Sequence, residues 1–134
     1  MADKKKGFPV KATKKYIDLL YMTPQELTAK DISELFLTHH ELTLELWAEV
    51  NVVEIELANH NSIDFEAIDI DFKSPSDAAF VKNRGIKTAY AINLCEDDLT
   101  VATPYFEELV TKYSGFVCAD SEDFTPVYAG SSKR

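Results

Sequence analysis

Cysteine is scarce in this chain: only Cys95 and Cys118 occur, with no CxxC pair. That excludes a disulfide framework and leaves two buried thiols in a reducing compartment as the expectation. Glycine is scarce too, four in all, and no GxGxxG, P-loop, GxSxG or HExxH pattern is present. So few glycines cannot cradle a phosphate. No apolar run approaches the ~20 residues that a membrane-spanning helix needs. The early lysines Lys4, Lys5 and Lys6 are followed only by Gly7-Phe-Pro-Val10, not by the apolar core of a secretory signal. These absences point to a cytoplasmic protein with no membrane contact.

Positive charge is missing from one region in particular. Residues 44–72 contain eight carboxylates and no Lys or Arg, whereas residues 1–30 hold seven lysines against three acids. The net charge of −9 works against binding nucleic acid or anionic membrane and is compatible with a basic protein partner. A length of 134 residues is enough for one domain with its own core.

Along the chain, residues 1–13 read as a flexible basic tail, 14–128 as a single α+β domain and 129–134 as a second flexible tail. Tyr16–Met22 is an apolar segment of undefined type. Thr23-Pro-Gln-Glu26 has the form of a helix start, with Thr as N-cap and Pro at the first helical position. A second start falls near Asp31, so Pro24 to about Thr38 is one broken helix or two short ones. Ser74-Pro-Ser-Asp77 opens a helix that Gly85 closes. Ile86–Leu94 alternates as a strand. A helix from Asp97 or Asp98 runs to Ser114 and either kinks at Pro104 or begins there with Thr103 as its N-cap, and Phe116–Ala119 is a final strand. The fold expected is α+β: N-terminal helix or helices, an antiparallel β-hairpin, then α-β-α-β, forming a four-stranded mixed sheet whose last β-α-β is a parallel crossover.

Between the first helices and Ser74 lie two alternating segments, Leu44–Leu57 and Ile63–Lys73, joined by Ala58-Asn-His-Asn-Ser62. Period-two alternation marks strands with two unlike faces. Each segment changes phase once, at 52/53 and at 67/68. A hairpin centred on His60 sets these changes opposite each other. It leaves apolar patches on both faces for a helix, a bent sheet or a second copy of the chain to cover. In that register Glu56 faces Asp64, Glu54 faces Glu66, Glu49 faces Asp71, and Trp47 faces Lys73. Facing carboxylates are unfavourable. An arrangement that retains them points to something that offsets the repulsion.

Two functional readings follow. In the first, Glu54, Glu56, Asp64 and Glu66, with Trp47 beside them, engage a basic protein surface, as inhibitor, immunity and adaptor proteins do; no cofactor is needed. Neutralising the four carboxylates should then leave the fold intact and abolish the complex. The second reading rests on Glu49, Asp71 and Lys73 sharing a face. Asp71-Phe-Lys73 has the form acid-x-Lys. At these three positions the chain resembles nucleases of the PD-(D/E)xK type. The resemblance implies acids that hold Mg²⁺ or Mn²⁺ and a lysine that orients the attacking water. A homo-oligomer that covers the apolar hairpin patches is a further expectation. Asp97, Asp98, Asp120, Glu122 and Asp123 read as helix caps and a solvated loop. His39, His40 and His60 lack metal-ligand spacing.

Overall fold

Tyr16–Thr23 is strand β1, and it explains why that segment shows no alternation. Leu19 and Tyr21 are buried on one side of the sheet, Leu20 and Met22 on the other. A strand covered on both faces reads as a continuous apolar run. The computed structural model describes residues 14–131, so the expected tail 1–13 and the last three residues of the expected tail 129–134 lie outside the described residues, whereas Ala129 and Gly130 of that tail belong to a strand.

Helix α1 spans Ala29–Leu35 and begins later than the Thr23-Pro motif suggests. Thr28 is its N-cap: its hydroxyl accepts the Asp31 amide at 3.2 Å, and the Asp31 carboxylate accepts the Thr28 amide at 2.9 Å, a reciprocal capping box. Thr23 instead ends β1. Its hydroxyl donates to the Tyr113 carbonyl and accepts the Gln25 amide, so it holds the turn that carries the chain out of the sheet. Thr28→Ala should therefore cost about 1 kcal/mol in chemical denaturation and Thr28→Ser little; equal losses for both would show that the cap is not what starts the helix.

After α1 come β2 (Thr43–Trp47), β3 (Val52–Glu56) and β4 (Ser62–Ile68). Helix α2 (Pro75–Asn83) follows, with Ser74 as N-cap and Pro75 at its start. The Gly85 amide bonds to Lys82 and the Ile86 amide to Val81, closing the helix in the expected Schellman pattern at a glycine with φ 65°. Strand β5 (Thr88–Cys95) leads through one 3₁₀ turn, Glu96–Asp98, into α3 (Leu99–Tyr113). Pro104 is accommodated within α3 without a break in the helix. Strands β6 (Phe116–Ala119) and β7 (Val127–Gly130) complete the chain.

The sheet corrects the expected architecture. Among the described residues it has seven strands in the order β2-β3-β4-β5-β1-β6-β7, and every neighbouring pair is antiparallel, in place of four mixed strands. Three strands account for the difference: β1, the unassigned apolar run; β7, which crosses the expected boundary between the domain and the tail at 129; and the division of Leu44–Leu57 into β2 and β3. Strands β5 and β6 do run parallel to each other, but β1 lies between them and pairs antiparallel with both. Helices α1 and α3 pack on one face, where Ile32, Phe36, Phe106 and Leu109 meet Leu19, Ile55, Phe65 and Ile92. On the other face Val81 of α2, with Ile86 and Phe124, covers Leu20, Met22, Ala89 and Cys118.

The phase changes have two different causes. In the first segment, Ala48–Val50 forms a 3₁₀ turn and Asn51 is left-handed at φ 56°, so the chain reverses there. Leu44 and Leu46 thus stand opposite Ile55 and Val53 and share their buried face. In the second segment there is no reversal. Ile63 and Phe65 are buried beneath α1 and α3, while Ile68, Ile70 and Phe72 pack beneath α2. Two layers bury different faces of one stretch of chain. Most of the apolar residues expected to form patches on the two faces are covered by α1 and α3 on one side and α2 on the other, while Ala48 and Val50 stay exposed in the turn.

A carboxylate row across the open face of the sheet

Helix α2 covers only part of its side of the sheet. Beyond it, no helix among the described residues covers the face formed by β2, β3 and β4, and five side chains named from the sequence stand on it together: Glu54, Glu56, Asp64, Glu66 and Trp47. Their register differs from the expected one by two residues. Glu54 faces Asp64, Glu56 faces Ser62, and Glu66 faces Val52. A slip of two keeps the four carboxylates on one face, because strand side chains repeat every two residues; Trp47, of opposite parity in an unbroken strand, is brought to that face by the reversal at Ala48–Asn51. Trp47 faces Val52 rather than Lys73 and remains 41% exposed at the end of the outermost strand.

Sequence reasoning missed Glu45. Once β2 folds back on β3, Glu45 lies directly opposite Glu54. The result is one row across three strands, Glu45–Glu54–Asp64, that continues through Asn93 of β5 to Asp18 of β1. Asn93 Nδ2 donates to Asp18 Oδ1 at 2.9 Å, and the Ser62 hydroxyl donates to Asp64 at 3.1 Å. The Asp120 amide donates to the Asp18 carbonyl at the far end. The Thr43-Leu-Glu-Leu-Trp47 alternation carried this signal, but only the turn at Asn51 sets its phase.

The electrostatics match the geometry. Partial burial, then the charge of Glu54, raises the Asp64 carboxyl above its ordinary value despite the Ser62 hydrogen bond. Burial, then Asp18 and Asp77, raises Asp120 in the same way. Among the described residues no Lys or Arg pairs with Glu45, Glu54, Asp64 or Glu66. Thr43, Glu45, Glu54, Glu56, His60 and Ser62 line a shallow cavity of about 290 Å³ at the link end of the row, where His60 Nδ1 lies 2.8 Å from Glu56.

The three residues of the nuclease resemblance are placed apart from the expected geometry. Glu49 sits exposed in the turn between β2 and β3. Asp71 and Lys73 follow the end of β4, and Asp71 lines a groove of about 350 Å³ beside Ile70, Val81 and Lys82 of the α2 layer. Glu49 and Asp71 are not cross-strand partners, since β4 ends at Ile68. Among the described residues, no group of three or more His, Cys, Asp or Glu is disposed to hold a metal ion.

The other acids have local roles. Asp98 is buried, and instead of capping α3 with its side chain it accepts amide hydrogens from Asn59 and Asn61 at 2.9 Å each, anchoring the β3–β4 link. Asp123 accepts hydroxyls from Thr125 and Ser121 in the loop before β7, and the Thr125 bond in particular holds its carboxyl below the usual range. Behind the sheet, His39 lies 2.7 Å from Glu108 and 3.3 Å from Glu41, and Tyr105 donates to Glu41. Burial, then Glu41 and Glu108, pushes the Tyr105 phenol up to about 12. This polar clamp ties α3 to the chain entering β2. Cys95 and Cys118 are free and buried, and burial together with Asp120 pushes the Cys118 thiol up to about 12.

The fold and face define a class: an antiparallel α+β layer structure with one sheet face partly open and acidic. No helix among the described residues is long and apolar enough to cross a membrane. No protein-family model, curated protein or solved structure matches the chain.

Proposed function

We propose that this is a small acidic binding protein, of the inhibitor, immunity or adaptor kind, that engages a basic protein partner through the open face of β2, β3 and β4. One observation supports this most: Glu45, Glu54 and Asp64 stand directly opposite one another on adjacent strands, with no cationic partner among the described residues. Each facing pair costs a few tenths to about 1 kcal/mol. The row concentrates field where it steers a cationic surface, and Trp47 at its margin offers an aromatic anchor. The outer strand β2 presents Glu45 at its centre, which disfavours antiparallel pairing with another β2 and so favours a basic partner over a second copy.

The test is affinity capture from lysate of the source cells at low and high salt, with mass spectrometry. A stoichiometric basic protein, released by salt and not captured by the E54Q/D64N variant, is the expected result. Capture that survives both changes, or no basic protein at all, rejects the proposal.

A further inference from the structure

We infer that residues 1–13 of this chain are themselves a ligand for the open acidic face, docking on it from within the same molecule. The segment contains Lys4, Lys5, Lys6 and Lys11 against a single acid, Asp3. The face opposite carries Glu45, Glu54, Glu56, Asp64 and Glu66, and no Lys or Arg occurs in β2, β3 or β4. The charges are complementary in sign and similar in number.

The chain also enters at the right place. Lys14, the first described residue, donates from Nζ to Asn61 Oδ1 at 2.7 Å, in the link between β3 and β4. Lys15 continues along the same rim, 3.8 Å from Glu96. The segment therefore leaves the described structure beside the cavity that Glu45, Glu54 and Glu56 line. From β4 to β2 is two strand spacings, about 10 Å. Thirteen extended residues reach up to about 40 Å. Lys11 is within reach of Glu56 and Glu54, and Lys4–Lys6 can reach Glu45 and the margin near Trp47. The effective concentration of a tethered segment is in the millimolar range, so even weak individual contacts hold it in place. An external basic partner must displace it, which makes the segment an internal competitor.

This inference stands without any external partner, and its test uses none. Amide spectra and Trp47 emission of the full chain are compared with those of a chain starting at Lys14. At low salt the amides of Glu45, Glu54, Glu56 and Asp64 should differ between the two. The difference should vanish at about 1 M salt, where screening is nearly complete. It should also vanish in full-length E54Q/D64N, and a synthetic peptide of residues 1–13 should restore it saturably in the shortened chain. Superimposable spectra, a difference that ignores salt, or shifts on another surface would overturn the inference. A difference that grows with protein concentration would assign the contact to a second copy and overturn the intramolecular form. If the shifts appear while no partner is captured, the internal ligand stands and the partner proposal fails.

Discussion

Replacing Glu45, Glu54 and Asp64 together by Gln, Gln and Asn is expected to stabilise the protein at neutral pH and to abolish capture of a basic partner. These side chains face solvent rather than the core, so the change creates no cavity. It removes two facing like-charge pairs, Glu45–Glu54 and Glu54–Asp64, for a gain on the order of 1 kcal/mol. The pH dependence follows in sign from Asp64, whose carboxyl is raised in the fold by burial and by Glu54. A raised carboxyl favours the folded state most when protonated. Its contribution is fully present below the unfolded value and is lost as pH rises through the folded one. The gain from Asp64→Asn should therefore be largest near neutrality and shrink on acidification through the carboxylate range. Urea denaturation at several pH values checks this, and a triple variant that is less stable at pH 7 would mean that the row holds the sheet together.

Gly115→Ala is expected to be the most damaging single substitution by a small side chain. Gly115 joins α3 to β6 at φ +86°, and a Cβ there would lie 2.0 Å from the Met22 carbonyl oxygen and 2.8 Å from the Thr23 Cα. Both are backbone atoms of the central strand. The surroundings cannot yield, because Tyr21 and Thr23 hydroxyls donate to the carbonyls of Ser114 and Tyr113 at 2.6 and 2.7 Å. Left-handed strain and forced overpacking, each about 1–3 kcal/mol, combine to a loss on the order of 3–5 kcal/mol. Thermal melting should show a large drop or failure to fold. A shift of only a degree or two would show that α3 and β6 can separate at this joint without cost.

Much of the local structure was legible because its causes are local. Ser74-Pro75 and Gly85 bracket α2 as expected, and the alternation of residues 63–67 marks β4. The gathering of Glu54, Glu56, Asp64 and Glu66 on one face was also legible, because strand parity survives a slip of two residues; Trp47 joins them only through the chain reversal at Ala48–Asn51. What failed depended on partners far away in sequence. Thr23 has the residues of an N-cap, but its hydroxyl is taken by Tyr113, ninety positions on. Asp98 stands at the start of a helix, but its carboxylate turns to Asn59 and Asn61. The phase change at residues 52/53 looked like a switch of buried face. It is a chain reversal, which adds β2 and brings Glu45 against Glu54.

The sequence by itself determined the α+β class, the acidity of the middle of the chain and the shared face of Glu54, Glu56, Asp64 and Glu66. Spacing, caps and charge are properties of neighbours, so these can be read without the fold. Only the tertiary structure decided that the sheet has seven antiparallel strands, with the run around Leu20 as a central strand buried on both sides. It alone joined the acids into one row from Glu45 to Asp18, because cross-strand register is set by which distant segments pair, and no local pattern encodes that choice.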